Sequence, residues 1–199
     1  MLQALLRLQI YDEQILTKTT ELIALDKFNL SHVTNFLWVL GKYKYKATNN
    51  AYLERAIQLI LATPDLDVKI ACRNLWNLSA LEYRSDEALK QLTAVVMSKQ
   101  HLLNDLDVSN CIRAFAVFNH LDFDCLEFLL KQSIRTATEM KLFSLAVILH
   151  SFALMDIKNP MLINISKEII KQQLQILNGE EPENLVTPFK LELQDAVMF

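Results

Sequence analysis

Four segments of the chain carry apolar residues at positions i, i+3, i+7 and i+10, the spacing that gathers side chains on one face of an α-helix. They are Leu30, Val33, Leu37 and Leu40; Val68, Ala71, Leu75 and Leu78; Val108, Cys111, Phe115 and Phe118; and Leu142, Leu145, Leu149 and Phe152. Each of the first three stripes is directly preceded by a favourable N-cap residue: Asn29, Asp67 and Asp107. The pattern predicts four amphipathic helices.

Each predicted helix is followed by a polar turn and a second helical segment. These second segments cover about residues 49–62, 85–98, 124–137 and 160–177, and residues 12–25 form a similar one before the first hairpin. One alignment of the four copies uses residues 28–45, 66–83, 106–123 and 140–157, whose starts are 38, 40 and 34 residues apart. Self-similarity at a period near 38 residues predicts an all-α fold, a right-handed α-solenoid of about four and a half two-helix repeats over residues 1–177.

Residues 178–199 differ from the repeats in composition. Gly179, the pair Glu180-Glu181 and Pro182 are typical of a helix end followed by a loop. Beyond them, apolar residues recur four apart at Leu185, Phe189, Leu193 and Val197. We therefore expect an acidic loop and a C-terminal amphipathic segment that caps the array or docks on a partner.

Composition supports helices and limits the kind of partner. The chain of 199 residues is 52% hydrophobic and contains two Gly and four Pro, few for a protein rich in sheets and loops. Its net charge of −3 gives no general attraction to nucleic acid, so such binding would need a local basic face. No run of 18 apolar residues occurs, and no membrane insertion is expected.

The sequence contains no pattern typical of a catalytic or metal site. Cys72, Cys111 and Cys125 lack metal-ligand spacing, and buried reduced thiols are expected. The four histidines do not pair with cysteines, carboxylates or a nucleophile motif, and glycines at positions 41 and 179 alone cannot form a phosphate-binding loop. We therefore expect no enzyme activity, no cofactor and no metal.

Two copies share a more specific motif. Residues 35–40 read Asn-Phe-Leu-Trp-Val-Leu, and residues 73–78 read Arg-Asn-Leu-Trp-Asn-Leu. This core resembles the octotricopeptide repeat, and it is similar to the heptatricopeptide repeats of apicomplexan organelles and to the helical region of Fas-activated kinase-like RAP-domain proteins. The resemblance covers roughly residues 12–177, although copies three and four match in hydrophobic pattern alone.

The resemblance implies a noncatalytic α-solenoid of the mitochondrial matrix, or of a plastid, that binds organellar rRNA or mRNA. Members of this group stabilise, process or help to translate RNA, or form structural parts of mitoribosomes. A ribonucleoprotein or mitoribosome component is therefore the function that the resemblance implies. The alternative is a scaffold that holds protein subunits of a mitochondrial complex without contacting RNA.

Candidate RNA contacts lie opposite the apolar stripes and in the basic run 41–46. Basic side chains suited to phosphates are Lys42, Lys44, Lys46, Lys69, Arg73 and Arg113. Side chains suited to base edges are His32, Asn35, Asn77 and Asn110. The simpler interpretation is that these residues form an ordinary solvated surface. Trp38 and Trp76 are expected to pack against adjoining repeats, with base stacking as the alternative.

Overall fold

The computed structural model describes residues 11–22, 27–45 and 50–179, which form nine α-helices and one short 3-10 turn, with no strand in this part of the chain. The helices are α1 Glu13–Leu22, α2 Leu30–Lys42, α3 Ala51–Leu61, α4 Val68–Ala80, α5 Asp86–Ser98, α6 Asp105–Phe118, α7 Phe123–Thr136, α8 Leu142–Leu154 and α9 Pro160–Leu177, and the 3-10 turn is Gln100–Leu102. The all-α prediction is confirmed. Part of the predicted first helix, 23–25, and the segment from residue 180 onwards lie outside the described residues.

Side-chain caps start most of these helices. Asn29 accepts a hydrogen bond from the amide of His32 (2.9 Å), and Asp67 accepts from Lys69 (2.8 Å) and Ile70 (3.2 Å), which confirms both predicted N-caps. Each such bond satisfies an amide that has no partner inside its helix. These local bonds explain why the starts of α2 and α4 were predictable.

The prediction of Asp107 as an N-cap was wrong. The cap of α6 is Asn104, which accepts from the amide of Asp107 (2.9 Å), while Asp107 accepts from the amide of Asn104 (3.0 Å). This reciprocal capping box starts the helix three residues before the predicted position. The four first helices therefore begin at Leu30, Val68, Asp105 and Leu142, at intervals of 38, 37 and 37 residues instead of the aligned 38, 40 and 34.

The four first helices end in the same kind of turn. The turn residues Lys44, Glu82, Asn119 and Asp156 adopt left-handed backbone angles with φ of 51°, 55°, 48° and 54°. In each case the next amide donates to a carbonyl five residues earlier, as from Tyr45 to Leu40 (3.0 Å) or from His120 to Phe115 (2.9 Å). This is the Schellman arrangement, which satisfies carbonyls at a helix end. The turns recur at intervals of 38, 37 and 37 residues.

The chain divides into two compact units, 1–103 and 104–199. In the first unit α2 packs on α4, α3 packs on α5, and each first helix packs on its own second helix. In the second unit α6 packs on α7 and α8, and α7 packs on α9. Each unit thus has a layer of first helices and a layer of second helices, with the core between them.

The predicted apolar stripes lie in these cores. In α2, α4 and α6 every stripe residue is buried except Leu30, which is half-buried. In α8, Leu145 and Phe152 are buried, but Leu142 and Leu149 are only half-buried. All three cysteines are buried and none of them forms a disulfide, as expected. None of the helices in the described ranges combines the length and the apolar character that a membrane crossing needs.

Candidate nucleic-acid interface

A small polar network lies buried between α2 and α4. The Asn74 amide donates to Thr34 Oγ1 (2.9 Å) and to the Ile70 carbonyl (3.0 Å), and the Asn77 amide donates to the Thr34 carbonyl (2.9 Å). Both asparagines are fully buried. Because a buried amide costs free energy when it is unpaired, these bonds favour one alignment of α4 along α2.

The outer edge of the same interface holds two indoles and one ammonium group. The Lys42 ammonium lies 5.9 Å from the centre of the Trp38 ring and 5.2 Å from that of Trp76. A β-carbon on Gly41 would lie 3.1 Å from both Trp76 Cζ3 and Ala80 Cβ. Gly41 thus lets α4 approach α2 closely, and Trp76 packs against the preceding hairpin. The predicted packing of Trp76 against an adjoining repeat agrees with this contact.

Two further cations of the first unit are positioned by hydrogen bonds. Arg73 Nη1 donates to Asn35 Oδ1 (3.0 Å), a bond that joins α4 to α2. Lys69 Nζ donates to the Leu102 carbonyl (2.8 Å) in the 3-10 turn. Both side chains are exposed, and Asn35 is half-buried. Their charged ends are therefore held at the surface in defined places.

We define the α2–α4 outer face as the exposed and half-buried positions that point away from the second helices. It consists of Ser31, Asn35, Trp38, Lys42, Lys69, Arg73, Trp76 and Ala80. Neither α2 nor α4 contains an aspartate or a glutamate, so three positive side chains stand on this face without an acidic residue from the same helices. The face thus gathers three positive side chains in a protein with a net charge of −3, with Asp67, the exposed N-cap of α4, close to Lys69 in the sequence.

Not every candidate residue of the first unit belongs to this face. His32 is exposed at the start of α2, where its ring meets Phe28 edge-on (5.7 Å between centroids). Lys44 is exposed at the turn after α2, and Lys46 lies outside the described residues. The expectation that Asn77 lies on the exposed face was wrong. Its amide is in the interior because α2 covers that side of α4.

The two candidates of the second unit lie on α6. Asn110 is half-buried; Arg113 is also half-buried, and its Nε is buried with no hydrogen-bond partner among the described residues. Asn110 lies nine residues before the left-handed turn residue that follows its helix, as Arg73 does. Arg113 lies six residues before the same turn residue, which is the position of Trp38 and Trp76 in their helices. The sequence alignment of residues 66–83 with 106–123 matched Arg73 to Arg113, and this match was wrong because the third segment was aligned in a displaced register.

The corresponding α6–α8 outer face is largely apolar. It consists of Leu106, Asn110, Arg113, Val117, Phe143, Val147, His150 and Leu154, and its exposed members include Leu106, Val117, Phe143 and Leu154. Helix α8 carries no aspartate, glutamate, lysine or arginine. The two units thus present surfaces of different chemistry at matched positions.

Sequence reasoning missed Asn74 and Gly41 as interface residues. Asn74 and Asn77 are three residues apart on one helix, a spacing that places both side chains on the same side. Gly41 is one of only two glycines in the chain and lies within a predicted helix, where it is unfavourable without a packing reason. Both signals were present in the sequence, but only the position of the neighbouring helix gives them meaning.

No protein-family model matches the chain, and no curated protein is significantly similar to it. Within the described ranges, no group of three or more His, Cys, Asp or Glu side chains could hold a metal ion.

Proposed function

We propose that this protein is a noncatalytic helical-repeat protein that binds single-stranded RNA through the α2–α4 outer face. The observation that carries the proposal is the set Lys42, Lys69 and Arg73 on two helices that contain no acidic residue. Positive side chains at the surface are the usual ligands of phosphate groups. The basic face provides the local attraction that the net charge of the whole chain does not.

The side chains around these cations fit a single-stranded ligand. Asn35 offers an amide group beside Arg73, and amide groups can pair with exposed base edges. Trp38 and Trp76 are half-buried, so part of each indole is open to a flat base. Because Arg73 and Lys69 are already hydrogen-bonded in place, less side-chain entropy is lost on binding.

We also propose the α-solenoid arrangement that the sequence predicts. Supporting it are the four turns at intervals of 38, 37 and 37 residues and the two helical layers within each unit. The resemblance of the Leu-Trp motif to organellar repeat proteins favours a role in a ribonucleoprotein or mitoribosome of the mitochondrial matrix, with a plastid as the alternative.

The test is the salt dependence of RNA binding by the full chain. We expect the double variant Lys69→Gln/Arg73→Gln to bind single-stranded RNA more weakly, and the slope of log affinity against log salt to fall by about 0.7 for each lost phosphate contact. The control is Lys90→Gln, which removes an exposed positive charge from α5, away from the α2–α4 outer face. Equal slopes for all three proteins would overturn the proposal.

The α6–α8 outer face favours a second candidate function, the holding of another protein subunit. Exposed apolar residues clustered on one face are typical of protein contact surfaces. Crosslinking in the native complex separates the two functions. Nucleotides attached to α2 or α4 support RNA binding, whereas peptides attached to both outer faces without nucleotides support the scaffold alone.

A further inference from the structure

One side of α9 exposes a continuous apolar stripe. The stripe has four members at spacings of seven, four and three residues, which places them on one face of the helix. They are Ile163, Ile170, Leu174 and Leu177. Their exposed fractions are 37%, 41%, 55% and 65%, rising toward the end of the helix. A shallow groove of about 420 Å³ runs along this region and includes Ile170, Leu174 and Lys171.

The positions matched to this stripe, in α7 and directly after its end, are covered. Helices α7 and α9 have their N-caps at Asp122 and Asn159, 37 residues apart. Counting 37 residues back from the four α9 positions gives Leu126, Ser133, Ala137 and Met140, none of which is more than 4% exposed. Helix α9 packs on α7, and the four stripe positions of α9 remain exposed.

The first helices of this unit show the same difference. In α6, Ser109 and Ile112 are buried, and α8 packs on that helix. The residues 37 positions later in α8 are Ala146, which is exposed, and Leu149, which is half-buried. Both layers of the second unit therefore have an open apolar side at α8 and α9.

We propose that residues 187–199 of the same chain form an amphipathic helix that packs on the open stripe of α9. Thr187 and Pro188 are a favourable N-cap and first helical residue. Phe189, Leu193 and Val197 then recur four apart, on one helical face.

The length of this segment matches the open stripe. A helix from 188 to 199 is about 18 Å long, and the stripe from Ile163 to Leu177 spans about 21 Å. The seven residues 180–186 can span up to roughly 23 Å, enough for the chain to turn back and lie antiparallel to α9. Gly179, whose φ of 76° is left-handed, directly follows Asn178, the C-cap of α9.

Charge favours the same occupant. Lys167 and Lys171 are exposed beside the stripe, on the side away from the buried face of α9. The segment 180–199 contains five acidic residues and one basic residue: Glu180, Glu181, Glu183, Glu192 and Asp195, with Lys190. A tethered segment is also present at an effective concentration on the order of millimolar, which a second copy or another protein rarely reaches in free solution.

Photo-crosslinking of the purified full chain tests this contact. We place p-benzoylphenylalanine at Leu174, in the stripe, and in a separate protein at Glu168, which lies about 120° around the helix from Leu174. We expect the probe at 174 to crosslink within the same chain to residues 187–199, and the probe at 168 to give no such product. Peptide mapping of the monomer band identifies the attachment point.

A pair of adjacent substitutions makes the test specific. With the probe at 174, Leu193→Asp places a charge on the proposed contact face and should abolish the crosslink, whereas Gln194→Asp adds the same charge about 100° away and should retain it. Crosslinks between two chains would instead assign the stripe to a second copy. That result, the absence of any crosslink to 187–199, or equal effects of the two substitutions would overturn the proposal.

Discussion

The α2–α4 pair of the first unit and the α6–α8 pair of the second differ most where they face outward. Both pairs are built from helices of 13 or 14 residues that end in left-handed turns. Outward positions carry Lys42, Lys69 and Arg73 with two indoles in the first unit, but mainly leucine, valine and phenylalanine in the second. Packing against the second helices fixes the inner positions, whereas outward positions are free to carry function. The difference favours RNA binding by the first unit and protein contact by the second.

The interiors of the two pairs differ as well. Asn74 and Asn77 of α4 correspond to Ile148 and Ser151 of α8, 74 residues later. The first pair is therefore aligned partly by buried hydrogen bonds to Thr34, and the second pair packs an apolar side chain at the same place. Four measurements test how far this contrast extends.

The largest effect is expected from truncating the core of the first unit. Leu75 is fully buried, so Leu75→Ala should lower the free energy of unfolding by about 2–5 kcal/mol. Leu149 occupies the matched position in α8 but is half-buried, so Leu149→Ala should cost clearly less. Chemical denaturation of both variants measures the two losses. Equal losses would show that α8 is covered as fully as α4.

Gly41→Ala should destabilise the protein by a smaller amount. The added methyl group would meet Trp76 and Ala80 at 3.1 Å, and such overpacking costs about 1–3 kcal/mol. The higher helix propensity of alanine offsets up to about 1 kcal/mol of this cost. The matched residue of α6 is Ala116, where the reverse change, Ala116→Gly, should cost about 1 kcal/mol through propensity alone. A stabilising effect of Gly41→Ala in thermal melting would show that α2 and α4 can separate without penalty.

Asn74→Ile, which introduces the residue found at the matched position of α8, should change stability by no more than about 1 kcal/mol. The Thr34 hydroxyl keeps its bond to the Leu30 carbonyl (2.8 Å), so removal of the amide leaves no orphaned hydroxyl. Denaturant titration provides the measurement. A loss of several kcal/mol would mean that the buried amide contributes to stability as well as to the alignment of the two helices.

The smallest effect concerns an exposed ion pair of the first unit. A hydrogen bond from Lys99 (2.6 Å), together with its charge, lowers the pKa of Asp65 below its ordinary value. A lowered folded-state pKa contributes stability above the unfolded-state pKa, which is lost as the pH falls through the folded-state value, here below about pH 4. NMR titration should show that Lys99→Gln raises the pKa of Asp65.

A matched pair in the second unit provides the control. Glu127 has a lowered pKa through a hydrogen bond and charge from Lys131, four residues later on α7. Lys99→Gln should leave the Glu127 titration unchanged, and Lys131→Gln should leave that of Asp65 unchanged. If the pKa of Asp65 is the same in the Lys99→Gln variant as in the original protein, the ion pair does not form in the folded protein in solution.

The register of the third copy shows how a sequence prediction can be displaced. Asp107 precedes an apolar stripe and is a favourable cap, but Asn104 caps the helix: its side chain accepts from the amide of Asp107, and the Asp107 carboxylate accepts from the amide of Asn104. The alignment that followed from Asp107 placed Arg113 beside Arg73, whereas the turns match it to Trp38 and Trp76. Two caps three residues apart compete locally, and packing of the whole helix decides between them.

The sequence by itself determined the helices, their buried stripes and two of their caps, because hydrophobic period and capping depend on residues within one or two turns. Tertiary structure alone decided that Asn77 is buried, that Trp76 packs closely against Gly41, and that the Lys42 ammonium lies over two indoles. The helical period identifies one buried face. In a layered array each helix also meets its neighbours within the layer, so residues flanking the stripe become buried or exposed according to the helix beside them.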